Sequence, residues 1–349
     1  MRAMVLHDIN DFRLETVEKP ALKKDEVLVA VKAAGICGSD IPRVYKTGTY
    51  AYPLIPGHEF SGLVAEIGEG VEAGWMGQRV GVFPLIPCKN CLPCQKKQYE
   101  MCRNYSYLGS RRDGGFAEYV AVPAANLIVL PDHVSFEAAA MLEPMAVAVH
   151  AMRRLQVTAA DTAAVCGLGT IGLLLAMFLR EAGVKKILVI GNKESQKHIM
   201  SDMGISEDSY CDSRNCAVEE WIAERTGGVG VDVFFECVGK EETIMQAMDN
   251  TTPGGRICLV GNPAADICIK KSVYWKILRN QLQVTGTWNS SFTGEMEDDW
   301  HYVLERLSQN KISPGRIISH RFSLEEIEQG FCIMRDKKED YGKIMSIIK

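Results

Sequence analysis

Residues 162–183 read TAAVC-GLGTIG-LLLAMFLREAG, and this stretch decides the fold. The run 162–166 is short, apolar and strand-like. A glycine-punctuated turn follows, and then an apolar helix that Gly183 stops. Gly167 permits a tight turn, Gly169 lets a pyrophosphate approach the backbone, and Gly172 allows close helix–sheet packing. Thr170 and Ile171 open the helix, whose unpaired N–H groups and positive dipole end suit phosphate. A glycine turn in an ordinary α/β unit is the plainer alternative. The strand before it and the helix after it favour dinucleotide binding.

Outward from this turn the alternation continues. KKILVI is a second buried strand, and 194–203 is a polar helix ended by Gly204. VDVFFECVG and GGRICLVG are later buried strands with a helical stretch between them. Strands alternating with helices predict βαβ units and a parallel sheet, a doubly wound Rossmann domain in an α/β chain. The second strand ends in Ile190-Gly191-Asn192-Lys193, without the acidic residue that usually holds a ribose 2′-hydroxyl. Gly191 removes the repulsion that excludes a 2′-phosphate, Lys193 offers a cation and Asn192 a donor, with Tyr210 a flanking candidate. NADP is therefore favoured, with NAD possible.

Upstream, to about residue 154, short β-branched runs such as EVLVAVKAAG, SGLVAEIG and GQRVGVF predict a mostly β domain. Downstream of about 288 the pattern is mixed, with a helix near 299–310 and a strand-like KIMSIIK at the end. Within the β-rich part lies PCKNCLPCQKKQYEMC. Its four thiolates, Cys88, Cys91, Cys94 and Cys102, suit a closed tetrahedral zinc shell with no open position, hence a structural site. Free loop cysteines or disulfides are the rivals. The net charge of −5 argues against a zinc-ribbon DNA binder. No apolar run reaches the ~18 residues of a membrane span. The opening MRAMVLHDINDF lacks the apolar core of a signal peptide, and with twelve cysteines a reducing cytoplasm is expected.

Three further groups are candidate ligands of a second, catalytic metal: Cys37 in GICGSD, His58 in PGHEF and Glu143 in MLEPM. A lone cysteine or histidine is often a core group and a glutamate usually faces water. Glu143, however, interrupts the apolar AAAMLEPMAVAV, where a carboxylate is costly unless paired or metal-bound. Three protein ligands leave an open position for chemistry. Asp40 is a candidate to orient His58, and Glu59 an alternative ligand or outer carboxylate.

Taken in order, GICGSD, GHEFSG, the four-cysteine lobe, DGGFAEY, the Glu143–Pro144 pair and GLGTIG resemble the zinc-dependent medium-chain dehydrogenases over essentially the whole chain. Glu143 places the likeness on the polyol-dehydrogenase side of that family. The resemblance implies a GroES-like catalytic domain built from 1–152 and 289–349, with a zinc lobe at about 86–104. A Rossmann domain, 153–288, is inserted. It further implies two zinc ions per subunit, Ser39 as first member of a proton relay, and a homodimer or homotetramer. The implied reaction is hydride transfer between a sugar-alcohol phosphate, galactitol 1-phosphate going to tagatose 6-phosphate, and NAD(P). Unphosphorylated polyols such as sorbitol, or threonine, are the alternative substrates. A phosphate calls for arginine or lysine, so Arg43, Lys46, Arg111 and Arg112 are candidates, with Tyr50 and Asn289 for hydroxyls. A non-catalytic nucleotide-binding or zinc-scaffold protein is the rival from another class. Neither nucleic acid nor membrane is an expected partner.

Overall fold

The computed structural model describes all residues, Met1–Lys349. The chain forms two compact units, Met1–Glu143 with Ser291–Lys349, and Pro144–Ser290. The first boundary between these compact units falls at Glu143. It lies inside the helix Leu142–Arg154, which runs across the junction. No helix is long and apolar enough to cross a membrane.

The first unit is built on a seven-stranded sheet. Its central strand, Glu26–Gly35, is buried along nearly its whole length, as its Val- and Ala-rich sequence requires. Antiparallel neighbours are Glu59–Ile67 on one side and the C-terminal strand Lys343–Ile347 on the other. The register sets Gly35 opposite both Glu59 and Met345. A segment near the chain's end thus lies beside one near residue 59. Valines, Phe60, Phe116 and Phe331 fill the core of this unit.

The second unit holds a six-stranded parallel sheet in the order Tyr210–Asp212, Lys186–Gly191, Thr162–Cys166, Val231–Glu236, Thr251–Leu259, Gln283–Gly286. In order of appearance along the chain this is 3-2-1-4-5-6, the doubly wound arrangement. Ligands in such sheets bind outside the strand ends where the order reverses, here between Thr162–Cys166 and Val231–Glu236. The glycine turn 167–172 leaves the first of these two strands and enters the helix Thr170–Glu181, whose residues Gly172–Leu179 are buried.

Candidate metal centre and cofactor turn

In the first unit, one ligand atom each from Cys37, His58 and Glu59 lie within 4.8 Å of one another. The strand register explains the grouping. Cys37 leaves the central strand just after Gly35, and Glu59 begins the strand paired to it. Asp40 ties the group together. Its Oδ2 accepts from the Cys37 N–H at 3.0 Å, its Oδ1 takes Arg43 Nη1 at 2.5 Å, and Oδ1 lies 3.5 Å from His58 Nδ1. Nδ1 therefore faces Asp40, which leaves Nε2 as the ring nitrogen for a metal.

The electrostatics favour a cation here. Burial pushes the His58 imidazole down, but the Asp40 carboxylate and the Cys37 thiol outweigh it and raise it well above its usual value. Burial likewise raises Asp40, yet His58 and Arg43 bring it below the ordinary carboxylate range. A metal ion would supply the positive charge that a protonated His58 supplies without it. With Asp40 facing Nδ1 of His58, the soft and borderline donors Cys37 and His58 together with a carboxylate fit zinc.

Glu143 is outside this tight group. It is buried, and its Oε1 accepts from the Tyr107 hydroxyl at 3.2 Å. The Tyr107 ring meets His58 edge-on at 5.8 Å between centroids, so Glu143 is one side chain removed from the cluster. Burial, with Glu59 nearby, raises Glu143 to about 7, and burial with Glu143 raises Tyr107 well above its normal range. Of the two glutamates considered as ligands, Glu59 is the one whose oxygen converges with Cys37 and His58. Glu59 is also ion-paired to Lys343, and both side chains are almost wholly buried. Lys343 Nζ donates to the Ile36 carbonyl at 2.8 Å. Sequence reasoning missed Lys343 and Tyr107. Lys343 offered no such signal as Glu143 did, because it stands at the head of KIMSIIK rather than inside an apolar run.

Cys88, Cys91, Cys94 and Cys102 converge as a second group. Sulfur separations are 3.5 Å for Cys91–Cys94, 3.9 Å for Cys91–Cys102 and 4.0 Å for Cys88–Cys94. A tetrahedron with Zn–S bonds of about 2.3 Å has an edge of about 3.8 Å. The spacing therefore fits a closed zinc shell and is far too long for disulfides. Backbone N–H groups of Arg103 and Cys94 pull the Cys91 thiol down to about 6, whereas burial holds Cys94 at about 12.

The other predicted residues separate once their partners are seen. Ser39 is exposed, between Cys37 and Asp40. Arg43 is committed to Asp40, and Arg112 to the buried Glu26 at 2.6 Å. Lys46 is exposed. Arg111 packs on the rings of Tyr50 and Tyr105, at 4.4 and 4.3 Å. In the second unit Asn289 has φ 57° and a buried Oδ1 without a partner.

The cofactor turn shows three different glycine roles. Gly167 has φ 94°, and a Cβ there would stand 2.5 Å from Val238. A Cβ on Gly172 would collide with the Gly167 carbonyl oxygen, whereas Gly169 opens onto free space. A phosphate can thus approach the backbone at Gly169 without meeting another side chain. At the second strand's tip, Gly191 has a packing reason of its own. A Cβ would meet Gln196 at 2.5 Å and the Tyr210 hydroxyl at 2.9 Å. Tyr210 is held by the Lys193 backbone, donating to its carbonyl at 2.8 Å and accepting from its N–H at 3.1 Å. Gln196 accepts from the Asn192 N–H. The strand partner of Gly191, Asp212, is gripped at both oxygens by Arg214.

Comparison with known proteins agrees with this geometry. Residues 23–132 match the family described as alcohol dehydrogenase GroES-like domain, and 170–309 the family described as zinc-binding dehydrogenase. Galactitol 1-phosphate 5-dehydrogenase of Escherichia coli K12 is 33% identical over 311 residues, 89% of either chain. L-threonine 3-dehydrogenase of Bacillus licheniformis is 32% identical over 339 residues, 95% of this chain and 94% of that one. A solved zinc-binding dehydrogenase structure from Sinorhizobium meliloti 1021, bound to NADP, superposes with a TM-score of 0.90 at 29% identity, covering 99% of this chain and 98% of that one. With a zinc-fitting centre, a dinucleotide turn and these likenesses along its length, the chain belongs to the zinc-dependent medium-chain dehydrogenases, an NAD(P)-binding oxidoreductase family.

Proposed function

We propose that this chain oxidises a sugar-alcohol phosphate, galactitol 1-phosphate to tagatose 6-phosphate, with NADP as the preferred acceptor. The convergence of Cys37, His58 and Glu59, with the buried Glu143 behind Tyr107, is the observation that carries a catalytic metal reading. Likeness to the E. coli galactitol 1-phosphate enzyme supports the substrate class. The similarly close threonine enzyme supplies the alternative substrate, and an unphosphorylated polyol the second.

In this reading Cys37 and His58 hold zinc together with a glutamate, Glu143 or Glu59, and the four-cysteine lobe holds a second, structural ion. When bound, zinc supplies Lewis-acid polarisation of a substrate oxygen, and the nicotinamide supplies the hydride chemistry. The chain's own residues do the positioning. Asp40 fixes the tautomer of His58, and Arg43 holds Asp40. Ser39, exposed beside Cys37, takes the hydroxyl proton toward solvent. Gly169 and the N-terminus of helix Thr170–Glu181 receive the pyrophosphate. The NADP preference rests on the missing carboxylate at Gly191–Lys193, and is supported by Arg214 occupying the neighbouring Asp212.

Twelve unpaired cysteines suit a reducing cytoplasm. The edge strand Gln283–Gly286 is unpaired on one side and the neighbouring Tyr274, Trp275 and Leu278 are exposed, which supports a homo-oligomer. Steady-state kinetics with galactitol 1-phosphate, galactitol, sorbitol and threonine, each with NADP and NAD, tests the reading. Highest kcat/KM with the phosphate and NADP is expected. A clear preference for threonine or a neutral polyol overturns the substrate, and a clear NAD preference overturns the cofactor.

A further inference from the structure

Four basic side chains in the first unit are candidates for a substrate anion, and their partners sort them. Arg43 gives its charge to the fully buried Asp40, and Arg112 to the buried Glu26. Lys46 is exposed, with no stacking or ion-pair partner to hold it. Arg111 has no carboxylate partner and is nonetheless held in place. Its guanidinium packs on two tyrosine rings, and Nη1 donates to the Tyr105 carbonyl at 3.0 Å.

Both rings lie against the guanidinium, which spends one N–H on the Tyr105 carbonyl and keeps its others for a ligand. Those N–H donors lie in one plane, at a spacing that matches two oxygens of one phosphate or carboxylate. Stacking also limits the freedom the side chain would otherwise lose on binding. Tyr50 is 72% exposed, an unusual position for so large a ring unless it serves a contact.

The clamp is tied to the metal centre by backbone. Gly115 N–H donates to the Gly57 carbonyl at 2.8 Å, and Gly57 directly precedes His58. A Cβ on Gly109 would stand 2.5 Å from that same carbonyl oxygen, so the loop carrying Arg111 lies hard against the segment carrying His58. Gly109 N–H closes the loop on the Arg112 carbonyl at 2.7 Å. Thr49 Oγ1 donates to the Ser110 carbonyl at 2.9 Å and fastens the Tyr50 segment to it. On the other side Tyr105 meets Tyr107 at 6.1 Å, and Tyr107 meets His58 at 5.8 Å.

We infer that the Tyr50–Arg111–Tyr105 clamp is the receptor for a terminal phosphate on the substrate, and that Arg111 sets the preference for phosphorylated over neutral polyols. This deepens the polyol-phosphate reading and rests on it. Arg111→Gln keeps the polar contacts of a long side chain and removes the charge. Expected is a ten- to hundredfold rise in KM for galactitol 1-phosphate with kcat within about threefold, the range for losing a charged hydrogen-bonded contact. KM for galactitol stays within about twofold. Tyr50→Leu, at an exposed position that the fold tolerates, raises KM for the phosphate by about three- to tenfold. An equal rise for both substrates, or none for the phosphate, overturns the inference.

Titration calorimetry with inorganic phosphate separates this inference from the functional one. Phosphate binding at least fivefold weaker in Arg111→Gln supports the clamp even if the enzyme turns over no sugar phosphate. Equal binding in both proteins overturns the clamp while leaving the dehydrogenase reading intact. Galactonate inhibiting the parent protein more strongly than phosphate does, and losing that inhibition in Arg111→Gln, would reassign the clamp to a carboxylate and overturn the phosphate assignment.

Discussion

Lys343→Met removes one partner of a buried ion pair and leaves the other in place. In the parent protein the Lys343 ammonium meets Glu59 and donates to the Ile36 carbonyl, with both side chains nearly inaccessible. The pair packs against the strand backbone, where a Cβ on Gly35 would stand 2.6 Å from the Lys343 Cε. Breaking a buried pair from one end costs about 3–5 kcal/mol, because the remaining charge is uncompensated. For a unit of this size each kcal/mol moves the melting temperature by about 2–4 °C, so the metal-free variant should melt about 6–20 °C lower. Glu59 has a second route to compensation. Its carboxylate already converges with Cys37 and His58, and a zinc ion there would replace the missing ammonium. Zinc should therefore stabilise Lys343→Met more than it stabilises the parent, and chelator competition should show tighter retention of the ion in the variant. Glu59→Gln with Lys343→Met should recover much of the loss, since neither charge remains. Calorimetry with and without chelator reads all three proteins. A metal-free loss below about 1 kcal/mol, or a double variant as unstable as the single, would refute the view that Lys343 and zinc compete for Glu59.

Further outcomes follow from other parts of the two units. Gly169→Ala should leave the melting temperature nearly unchanged and weaken NADP binding in fluorescence titration, because its Cβ enters only free space. Gly172→Ala should destabilise the second unit outright, because its Cβ meets the Gly167 carbonyl. Cys94→Ser, at a buried sulfur of the four-cysteine group, should lower the zinc content by one ion per chain in metal analysis and lower the melting temperature. In the metal-free protein Glu143 titrates near 7 against 4.5 for an unperturbed glutamate, so the folded state holds the extra proton between those values. Stability should then fall as pH rises from about 4.5 to 7, by on the order of 3 kcal/mol from this group. His58, Glu59 and Tyr107 also face Glu143, so Glu143→Gln is the control. Denaturant melts at pH 5 and 7.5 should differ less in that variant than in the parent, and an unchanged difference would refute the assignment.

Why some of this was readable in sequence and some was not comes down to how far apart the interacting residues are. The glycines at 167, 169 and 172 act on one another within six residues, so their roles follow from local backbone geometry. The four cysteines likewise span one lobe, and their spacing alone announces a tetrahedral shell. Glu59 and Glu143 were both visible as candidate ligands. Their order was not, because it depends on strands meeting across the chain. Gly35 opposite Glu59 and Met345 opposite Gly35 are pairings of segments up to about three hundred residues apart. Lys343 enters the site by that register alone. Read linearly it is an ordinary charged residue before an apolar strand.

The same distinction governs the basic residues. Arg43, Arg111 and Arg112 have one chemistry and similar surroundings in sequence. What separates them is Asp40 beside the first, Glu26 beside the third and two tyrosine rings about the second. Gly191 answers to packing as well as to the cofactor, because Gln196 and Tyr210 would forbid a Cβ there with or without a 2′-phosphate. A cofactor argument from that glycine alone is therefore weaker than one that adds the missing carboxylate at the strand tip, Gly191–Lys193. The class of chemistry is written in residues that act locally, while selectivity for substrate and cofactor is written in partners that only the fold brings together. For that reason Arg111→Gln tests specificity without disturbing the family's chemistry, and Lys343→Met tests the metal centre without touching any residue proposed to bind zinc.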